Sequence, residues 1–520
     1  MGGPVPYGLT AAWQRPYRSC PNDLGTHRVP RREERVATGH TVVEGIEVST
    51  DHWIGGARVS SAETFVDVSP IDEMPIAEVA RGGAAEADQA VAAAREGFAV
   101  WGSMPPKERA EVLHRIADGV ESRVPELAAV ETRDNGSLLR SMQRSVMPRV
   151  ARNFRFFADH LLTLGDDKDH DGFAEHFEWD PSGVTAVITP WNAPLMLATW
   201  RVAPALAAGN AVILKPPEWA PLTASILADI AHDAGLPDGA FNVVQGIGEE
   251  AGAALTAHPG LDRIAFTGSV PTGKLVAQAA GANLTPASLE LGGKSPFVAF
   301  ADADLDAVVK QAVNQFDNAG QVCLAGTRLL VEASIHDEFL DRFTRAAAEI
   351  VQGDPREAAT EIGPQITREH FERVDGFVQR AKAGGARAAF GGGPNGELGG
   401  LYYRPTLFTD APAGSEILTQ EVFGPVLTLQ TFADEDEAVA LANDTRYGLA
   451  AILYTGDPGR AERVSTELVA GTVWVNCFFV RDLAAPFGGS RNSGIGREGG
   501  TWSFDFYSDV KNVCTAPWTT

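Results

Sequence analysis

Cysteine is scarce in this chain of 520 residues, which contains only Cys20, Cys323, Cys477 and Cys514. The four are scattered, with no CxxC pair and no partner histidine at metal-ligand spacing. This spacing argues against a disulfide framework and gives no reason to predict zinc or any other metal. Free thiols persist in a reducing compartment, so we expect the protein to be cytoplasmic.

Positive charge is also in short supply, because 43 Lys and Arg face 68 Asp and Glu, for a formal net charge of −25. Nucleic-acid-binding proteins need Lys and Arg to neutralise phosphates, and anionic membrane surfaces attract the same cations. We therefore expect neither a nucleic acid nor a membrane as a partner. The chain also lacks any run of about 18 apolar residues, the length that a membrane-spanning helix requires.

The chain is longer than one hydrophobic core usually supports, which predicts two or three domains. The first 49 residues differ from the rest, because they are rich in Pro, Gly and Arg, with a basic cluster at 27–32 and no apolar stretch behind it. We interpret residues 1–49 as a flexible or loosely docked extension and not as a secretory signal. A partner-binding arm is the alternative.

Beyond residue 50, short apolar runs alternate with helix-like segments. Residues 84–101 and 106–124 carry apolar residues at helical spacing. Strand-like runs bounded by turn residues occur at 183–188, 211–214, 241–244 and 263–266. Strands that alternate with helices indicate an α/β fold with a parallel sheet. The alternation resumes over residues 297–475, so we expect a second α/β unit.

Two segments of the first unit could bind a dinucleotide at the carboxyl ends of strands, where parallel sheets bind ligands. Lys215 and Glu218 follow the strand-like run 211–214. A carboxylate there can bind both hydroxyls of an adenosine ribose and repels a 2′-phosphate, which favours NAD over NADP. Residues 266–274 lead from a strand into a helix, whose free N–H groups can bind a pyrophosphate. Taken alone, either segment is equally consistent with a plain turn or a surface loop.

Two further segments carry groups for covalent catalysis. Small and polar neighbours surround the thiol of Cys323, and Glu290 lies two residues before a glycine pair. A thiol nucleophile and a carboxylate base suffice to form a thioester and hydrolyse it. Judged alone, Cys323 could be an inert small hydrophobe, as we interpret Cys477 and Cys514. Glu290 could equally be a helix cap or an ion-pair partner.

Seven motifs, taken in order, resemble those of the NAD(P)-dependent aldehyde dehydrogenase superfamily over residues of about 50 to 516. They lie at residues 189–194, 215–218, 266–269, 289–294, 320–323, 420–425 and 486–489. The resemblance implies an α/β fold with two parallel-sheet domains, one Rossmann-like and one catalytic, and a small antiparallel oligomerisation element. The implied bounds are 50–162 and 182–289 for the NAD-binding domain, 290–490 for the catalytic domain, and 163–181 and 491–520 for the oligomerisation element. A homodimer or homotetramer is expected.

The same resemblance implies roles for individual residues. Cys323 attacks the aldehyde carbon, the side-chain amide of Asn192 holds the oxyanion, and Glu290 activates water to hydrolyse the thioester. The presence of Glu290 favours hydrolysis to the free acid over transfer of the acyl group to coenzyme A. The residues implied to bind NAD are Trp191, Lys215, Glu218, Gly248, Gly268, Ser269, Leu291, Glu421 and Phe423.

The substrate can be narrowed by a second resemblance, to the hydroxymuconic semialdehyde dehydrogenase branch, which residues 476–487, 148–157 and 496–504 carry. A guanidinium suits the substrate carboxylate of that branch, and Arg481 is our candidate. Several relatives have a second basic residue where this chain has Gln143. An ion pair of Arg481 with a neighbouring carboxylate is the alternative. The expected apolar walls of the substrate tunnel are Trp200, Phe316, Phe479 and Phe487.

Three functions are therefore open. The first is oxidation, with NAD, of a semialdehyde acid from aromatic or heterocycle catabolism. The second is the same reaction on an aromatic, betaine-type or cyclic hemiacetal substrate. The third is a non-catalytic relative that keeps only the fold. Retention of Cys323, Glu290 and Asn192 disfavours the third.

Overall fold

A computed structural model of the protein describes residues 39–165, 167–170 and 173–518. Within these ranges, the strands are β1 (His40–Val43), β2 (Ile46–Ser49), β3 (His52–Ile54), β4 (Ala57–Val59), β5 (Thr64–Val68), β6 (Pro75–Ala80), β7 (Asp167–His170), β8 (Phe173–Pro181), β9 (Val184–Ile188), β10 (Ala211–Lys215), β11 (Phe241–Val243), β12 (Arg263–Gly268), β13 (Ala287–Leu291), β14 (Pro296–Ala299), β15 (Arg328–Glu332), β16 (Arg387–Phe390), β17 (Thr406–Thr409), β18 (Val426–Phe432), β19 (Ala450–Tyr454), β20 (Thr472–Val475), β21 (Gly494–Ile495) and β22 (Ser508–Thr515).

The α-helices in the same ranges alternate with the central strands. They are α1 (Ala84–Trp101), α2 (Pro106–Ser122), α3 (Val124–Asn135), α4 (Leu139–Ser141), α5 (Met147–Leu161), α6 (Pro194–Ala208), α7 (Leu222–Asp233), α8 (Ala253–Ala257), α9 (Val270–Asn283), α10 (Leu305–Val313), α11 (His336–Ala348), α12 (Arg368–Ala383), α13 (Glu416–Thr419), α14 (Glu435–Asn443), α15 (Pro458–Glu467) and α16 (Gly500–Tyr507). No helix in the described part of the chain is long and apolar enough to cross a membrane.

The first large sheet has eight strands in the order β21-β13-β12-β9-β10-β11-β3-β4. Its five central strands are parallel, namely β13, β12, β9, β10 and β11. Antiparallel strands flank them at both edges of the sheet. Every residue of β9 and β10 is buried, because helices cover both faces of the sheet. The parallel strands carry Lys215, Gly268 and Leu291 at their carboxyl ends, which therefore share one edge.

The second large sheet has seven strands in the order β16-β17-β18-β15-β14-β19-β20, all parallel except β16 at one edge. Two parallel sheets interleaved with helices confirm the predicted α/β fold class. The predicted helices at 84–101 and 106–124 and the four predicted strands are present to within two residues. The predicted domain bounds remain a prediction.

A third sheet is antiparallel and has the order β22-β8-β7. Strand β22 pairs with β8 over eight residues, from Ser508 opposite Pro181 to Thr515 opposite Ala174. Six of the eight residues of β22 are exposed, and they include Val510 and Val513. A long exposed edge strand of this kind is a template for pairing with another strand.

Of the predicted extension over residues 1–49, residues 1–38 lie outside the part of the chain that the structure describes. The prediction of a loosely docked segment was wrong for residues 40–49, which form the hairpin β1–β2. Val43 and Val48 of this hairpin are only 3% and 2% exposed and belong to the hydrophobic core. In β1 the buried residues Thr41 and Val43 alternate with exposed ones, and Val48 is buried in β2. A prediction from the composition of 50 residues overlooks so short a pattern.

Helix α1 packs against the turn that precedes β11 so closely that a side chain would not fit. A Cβ atom on Gly97 would lie 2.2 Å from the carbonyl carbon of Gly239. By contrast, Gly281 of α9 is exposed and has no heavy atom within 4 Å of its Cβ position. Close packing therefore requires glycine at position 97, whereas the space around position 281 would accept a side chain.

We predict that the same substitution has opposite effects at these two positions. Gly97→Ala should lower the free energy of unfolding by about 1–3 kcal/mol, because the backbones must separate. Gly281→Ala should raise it by about 0.5–1 kcal/mol, because alanine loses less chain entropy in a helix. Urea denaturation of both variants and the parent measures these changes. Equal effects of the two substitutions would contradict the close approach at Gly97.

Candidate active site

The loop that carries Cys323 is held in an unusual backbone conformation. Asn318, Ala319 and Gly320 have φ values of 50°, 56° and 73°, all in the left-handed region. Gly320 also approaches another loop, since a Cβ atom there would lie 2.1 Å from the carbonyl oxygen of Gly424. Three consecutive left-handed residues turn the chain sharply before β15. Gly320 is therefore needed for the backbone conformation of this loop and not for the reaction itself.

Asn192 is tied to this loop by hydrogen bonds in both directions. Its side-chain Nδ2 donates to the carbonyl oxygen of Gln321 at 2.9 Å, and its own carbonyl accepts from Asn318 Nδ2 at 3.1 Å. An amide nitrogen has two N–H groups, and within the described residues the second makes no hydrogen bond. The structure therefore brings Asn192 and the Cys323 loop together, with one donor of Asn192 free for a ligand oxygen.

The thiol of Cys323 is partly buried. Burial raises the pKa of this thiol to about 12, with the nearby carboxyls Glu421 and Glu290 adding to the effect and Arg481 opposing it. At neutral pH the sulfur therefore keeps its proton until a base removes it. A cysteine of this kind needs help to become a nucleophile.

Glu290 provides a carboxyl group of the required type. It lies on β13, is 6% exposed, and its Oε1 has no hydrogen-bond partner among the described residues. Burial raises the pKa of Glu290 well above its usual range, and the charge of Glu498 adds to this, while Arg201 and Arg481 act against it. A carboxyl group with a raised pKa is suited to accept and release protons near neutral pH.

Arg201 and Glu498 form a buried ion pair near the carboxyl end of β12. The sequence patterns did not predict this pair. Arg201 Nη1 is 2.5 Å from Glu498 Oε1, and the two side chains are 1% and 5% exposed. Arg201 also donates to the Thr267 hydroxyl at 2.9 Å and to the Phe266 carbonyl at 3.1 Å. Arg201 directly follows Trp200 and Glu498 lies in the stretch 496–504, but nothing in the spacing indicated that the two meet.

The predicted ribose site has the expected geometry. Lys215 Nζ is 2.8 Å from Glu218 Oε2, and the backbone N–H of Gly248 donates to Glu218 Oε1 at 3.5 Å. Burial opposes ionisation of Glu218, but the charge of Lys215 and these hydrogen bonds prevail and lower its pKa. Glu218 is therefore a carboxylate, and it can accept hydrogen bonds from two hydroxyl groups.

Ser269 precedes helix α9 and its hydroxyl accepts the backbone N–H of Thr272 at 3.2 Å. Gly268 ends β12 immediately before it, and a Cβ atom on Gly273 in the first turn would lie 2.5 Å from Leu291. The first turn of α9 thus packs on the side chain of Leu291, and Ser269 occupies its N-cap. Its remaining free N–H groups can bind an anion.

Trp191 packs against Phe423, and Glu421, two residues before Phe423, faces the glycine pair that follows Glu290. Glu421 Oε1 accepts the backbone N–H of Gly293 at 2.9 Å, and burial raises the pKa of Glu421 to about 7. The ring of Trp191 stands edge-on to that of Phe423, with 5.3 Å between centroids. A Cβ atom on Gly292 would lie 1.9 Å from Glu421 Oε2, so only glycine leaves room for this carboxyl.

Three of the four predicted substrate residues also meet. The guanidinium carbon of Arg481 is 3.7 Å from the ring centroid of Phe487 and 5.3 Å from that of Trp200. Phe316 is 1% exposed in the core around the second sheet, where it contacts Phe343, and Phe487 and Cys323 pack against the same core. Phe479, the further candidate, is 48% exposed. The substrate roles of all these residues remain predictions.

We predict that Glu290→Gln changes the pH dependence of stability. The folded carboxyl holds its proton to higher pH than the unfolded one, so the unfolded chain binds fewer protons and the parent loses stability as pH rises through that window. Glutamine does not titrate. The free energy of unfolding of the variant minus that of the parent should therefore increase as the pH is raised above the usual range of a glutamate, in urea denaturation at a series of pH values. A difference that stays constant or decreases would contradict the raised pKa.

Comparison with known proteins agrees with this geometry. The model of the aldehyde dehydrogenase family matches residues 58–513. A 2-hydroxymuconic semialdehyde dehydrogenase from Pseudomonas sp. (strain CF600) is 44% identical over 478 residues, which cover 89% of this chain and 98% of that protein. HpcC from Thermus thermophilus superposes with a TM-score of 0.87 at 43% identity, covering 91% of this chain and 94% of that one.

An indole-3-acetaldehyde dehydrogenase whose structure was determined with NAD⁺ superposes with a TM-score of 0.89 at 37% identity, covering 91% of this chain and 98% of that one. The family match, the identity over most of the chain and the shared fold confirm the resemblance carried by the sequence motifs. This chain, with its Cys323 loop and buried Glu290, therefore belongs to the aldehyde dehydrogenase family.

Proposed function

We propose that the protein oxidises an aldehyde to the free carboxylic acid with NAD, through a covalent bond to Cys323. The observation that carries the proposal is the close approach of the two segments: a Cβ atom on Gly293, three residues after Glu290, would lie 2.6 Å from the carbonyl oxygen of Cys323. The Glu290 carboxyl also helps to raise the pKa of the thiol. Two titrating groups that influence each other in this way can pass protons between the reaction steps.

In the first step, the thiol of Cys323 gives its proton to the Glu290 carboxylate, which releases it to solvent, and the sulfur bonds to the carbonyl carbon of the aldehyde. The π electrons of the carbonyl move to its oxygen, which becomes an oxyanion. The free N–H of the Asn192 amide and the backbone N–H of Cys323 are the donors proposed for this oxygen. Donors held in place by the surrounding hydrogen bonds stabilise such charge without rearranging.

The residues present fit NAD. The Glu218 carboxylate, kept ionised by Lys215, would accept hydrogen bonds from the two hydroxyls of an adenosine ribose and would repel the additional phosphate of NADP. The first turn of α9 would offer N–H groups to the pyrophosphate, and Glu421, Phe423 and Trp191 would hold the nicotinamide side. NAD, when bound, would supply a nicotinamide ring able to take up a hydride, which is the oxidant needed to convert an aldehyde into a thioester on Cys323.

Glu290 then completes the reaction. Its carboxylate takes a proton from water, the water oxygen bonds to the thioester carbon, and the bond from that carbon to the sulfur of Cys323 breaks. The proton held by Glu290 can return to the sulfur, which restores the starting state. The products are the free acid and the thiol, consistent with hydrolysis and not with transfer to coenzyme A.

For the substrate, we propose a semialdehyde that carries a carboxylate, as in 2-hydroxymuconic semialdehyde. The support is the guanidinium of Arg481, which stands over the rings of Trp200 and Phe487. Those two rings would also suit an uncharged aromatic aldehyde, which is the second candidate. A cationic aldehyde of the betaine type is disfavoured, because Arg481 would repel it.

We also propose that two copies of the chain associate through β22. Its exposed outer edge and the valines Val510 and Val513 support a strand pairing across a symmetric dimer, and two such dimers would make a tetramer. Size-exclusion chromatography with light scattering tests this proposal, and a monomer at micromolar concentration would contradict it.

An aldehyde panel tests the proposed function. The parent should show its highest kcat/KM with 2-hydroxymuconic semialdehyde and NAD, lower values with benzaldehyde or with NADP, and the lowest with betaine aldehyde. Arg481→Gln should lower the ratio of kcat/KM for the semialdehyde to that for benzaldehyde by roughly 10- to 100-fold, the effect of losing a charge-assisted contact. Cys323→Ala should form no NADH with any aldehyde.

Two outcomes would contradict the proposal. Formation of NADH by the Cys323→Ala variant would exclude a mechanism with a covalent bond to Cys323. Equal losses for the semialdehyde and benzaldehyde in Arg481→Gln would leave the mechanism in place but exclude Arg481 as the contact for the substrate carboxylate.

A further inference from the structure

A second guanidinium stands at the ring of Trp200. Arg149, in the first turn of α5, has its guanidinium carbon 5.3 Å from the centroid of this ring, the same distance as Arg481. The two guanidinium carbons are therefore no further apart than twice that distance. Trp200 itself lies on α6, which begins two residues after the oxyanion candidate Asn192.

Neither of the two arginines has a counterion in the described part of the chain. Arg149 Nε donates to Asn153 Oδ1 at 2.8 Å, which is a neutral partner, and no described carboxylate forms an ion pair with either guanidinium. The carboxyls of Glu498 and Glu290 lie near enough to Arg481 to oppose the lowering of its pKa by burial, whereas no carboxyl has such an effect on Arg149. Arg201, buried nearby, shows the contrasting case, because it is paired with Glu498. Burial lowers the pKa of Arg149 to about 9, with the like charges of Arg481 and Arg152 adding to the effect, so Arg149 remains charged at neutral pH.

Two partly buried like charges beside one aromatic ring are unfavourable unless an anion joins them. Arg481 also lies close enough to influence the pKa of both Cys323 and Glu290. An anion between the two guanidinium groups would therefore lie within one small molecule's length of the reacting sulfur. A carboxylate has two oxygens and matches the planar donor fork of each arginine.

The basic residues near Gln143 do not offer the same contact. Gln143 and Arg144 are exposed, and Arg140 Nη1 donates to the carbonyl oxygen of Ala358 at 2.9 Å. A π-helical turn, Met142–Val146, separates this segment from α5. Arg149 follows that turn, on the helix that packs against α6.

We propose that Arg149 and Arg481 together bind the substrate carboxylate, and that Arg149 is a specificity-determining residue. This inference rests on the proposed function, since it needs a substrate that carries a carboxylate. Arg149 would supply the second basic contact that the residue at position 143 does not provide. It would select for an anionic group at the far end of the aldehyde and take no part in the bond changes at Cys323.

The test compares Arg149→Gln, Arg149→Lys and Arg152→Gln with the parent. Arg152 is exposed on the same helix and near enough to influence the pKa of Arg149, so Arg152→Gln removes a neighbouring positive charge but keeps the contact of Arg149 with the ring of Trp200. The readouts are the ratio of kcat/KM for 2-hydroxymuconic semialdehyde to that for benzaldehyde, the affinity for trans,trans-muconate by calorimetry, and the melting temperature.

Arg149→Gln should lower the ratio by roughly 10- to 100-fold and weaken muconate binding by a similar factor, the loss expected for one charged hydrogen-bonded contact. Arg149→Lys should recover part of both effects, because it keeps the charge but not the planar fork. Arg152→Gln should leave the ratio within about twofold of the parent, since an exposed charge is screened by solvent.

Failure of the inference and failure of the proposed function give different results. A parent that prefers the semialdehyde, together with an Arg149→Gln variant of unchanged ratio, would overturn the role of Arg149 alone. Equal losses for both aldehydes with a lowered melting temperature would mean that Arg149 only supports Trp200, and would also overturn it. A parent that does not oxidise the semialdehyde would overturn both proposals.

Discussion

The burial of two titrating groups beside each other is the constraint on which the rest of the site depends. Removing the Cys323 thiol and the Glu290 carboxyl from water disfavours their charged forms, which raises the pKa of both. Ionisation of either group is then controlled by its neighbours and not by the solvent. The positive charges of Arg481 and Arg201 oppose the rise at Glu290, so this carboxyl can still lose its proton when the reaction requires a base.

The fold supplies this burial through the ends of parallel strands. Glu290 is the last but one residue of β13, and Lys215 ends β10 in the same sheet. The loop of Cys323 meets this edge at Gly293, where a Cβ atom would lie 2.6 Å from the carbonyl oxygen of Cys323, and Gly292 leaves room for the carboxyl of Glu421. Loss of either glycine would displace a carboxyl or the nucleophile loop, which explains why the motifs contain glycines as well as reactive groups.

Sequence patterns predicted much of this arrangement, because local periodicity determines an element such as α1, and the motifs around Cys323 and Glu290 are short and contiguous. They could not predict the pair of Arg201 and Glu498, which are far apart in the sequence and meet only after folding. The contact of Arg149 with Trp200 was missed for the same reason. Residues 40–49 were assigned to the extension from composition alone. The burial of Val43 and Val48 fixes them in the fold as a hairpin, although prolines are frequent in the residues before them.

The central claim, a substrate carbon bound to the sulfur of Cys323 until Glu290 activates water, can be measured most directly by mass spectrometry. Glu290→Gln protein, mixed with benzaldehyde and NAD and then quenched in acid, should carry a benzoyl group on the peptide that contains Cys323. The parent should carry little, because it hydrolyses the thioester. An unmodified Cys323 peptide in the variant, or a benzoyl group on another residue, would contradict this account.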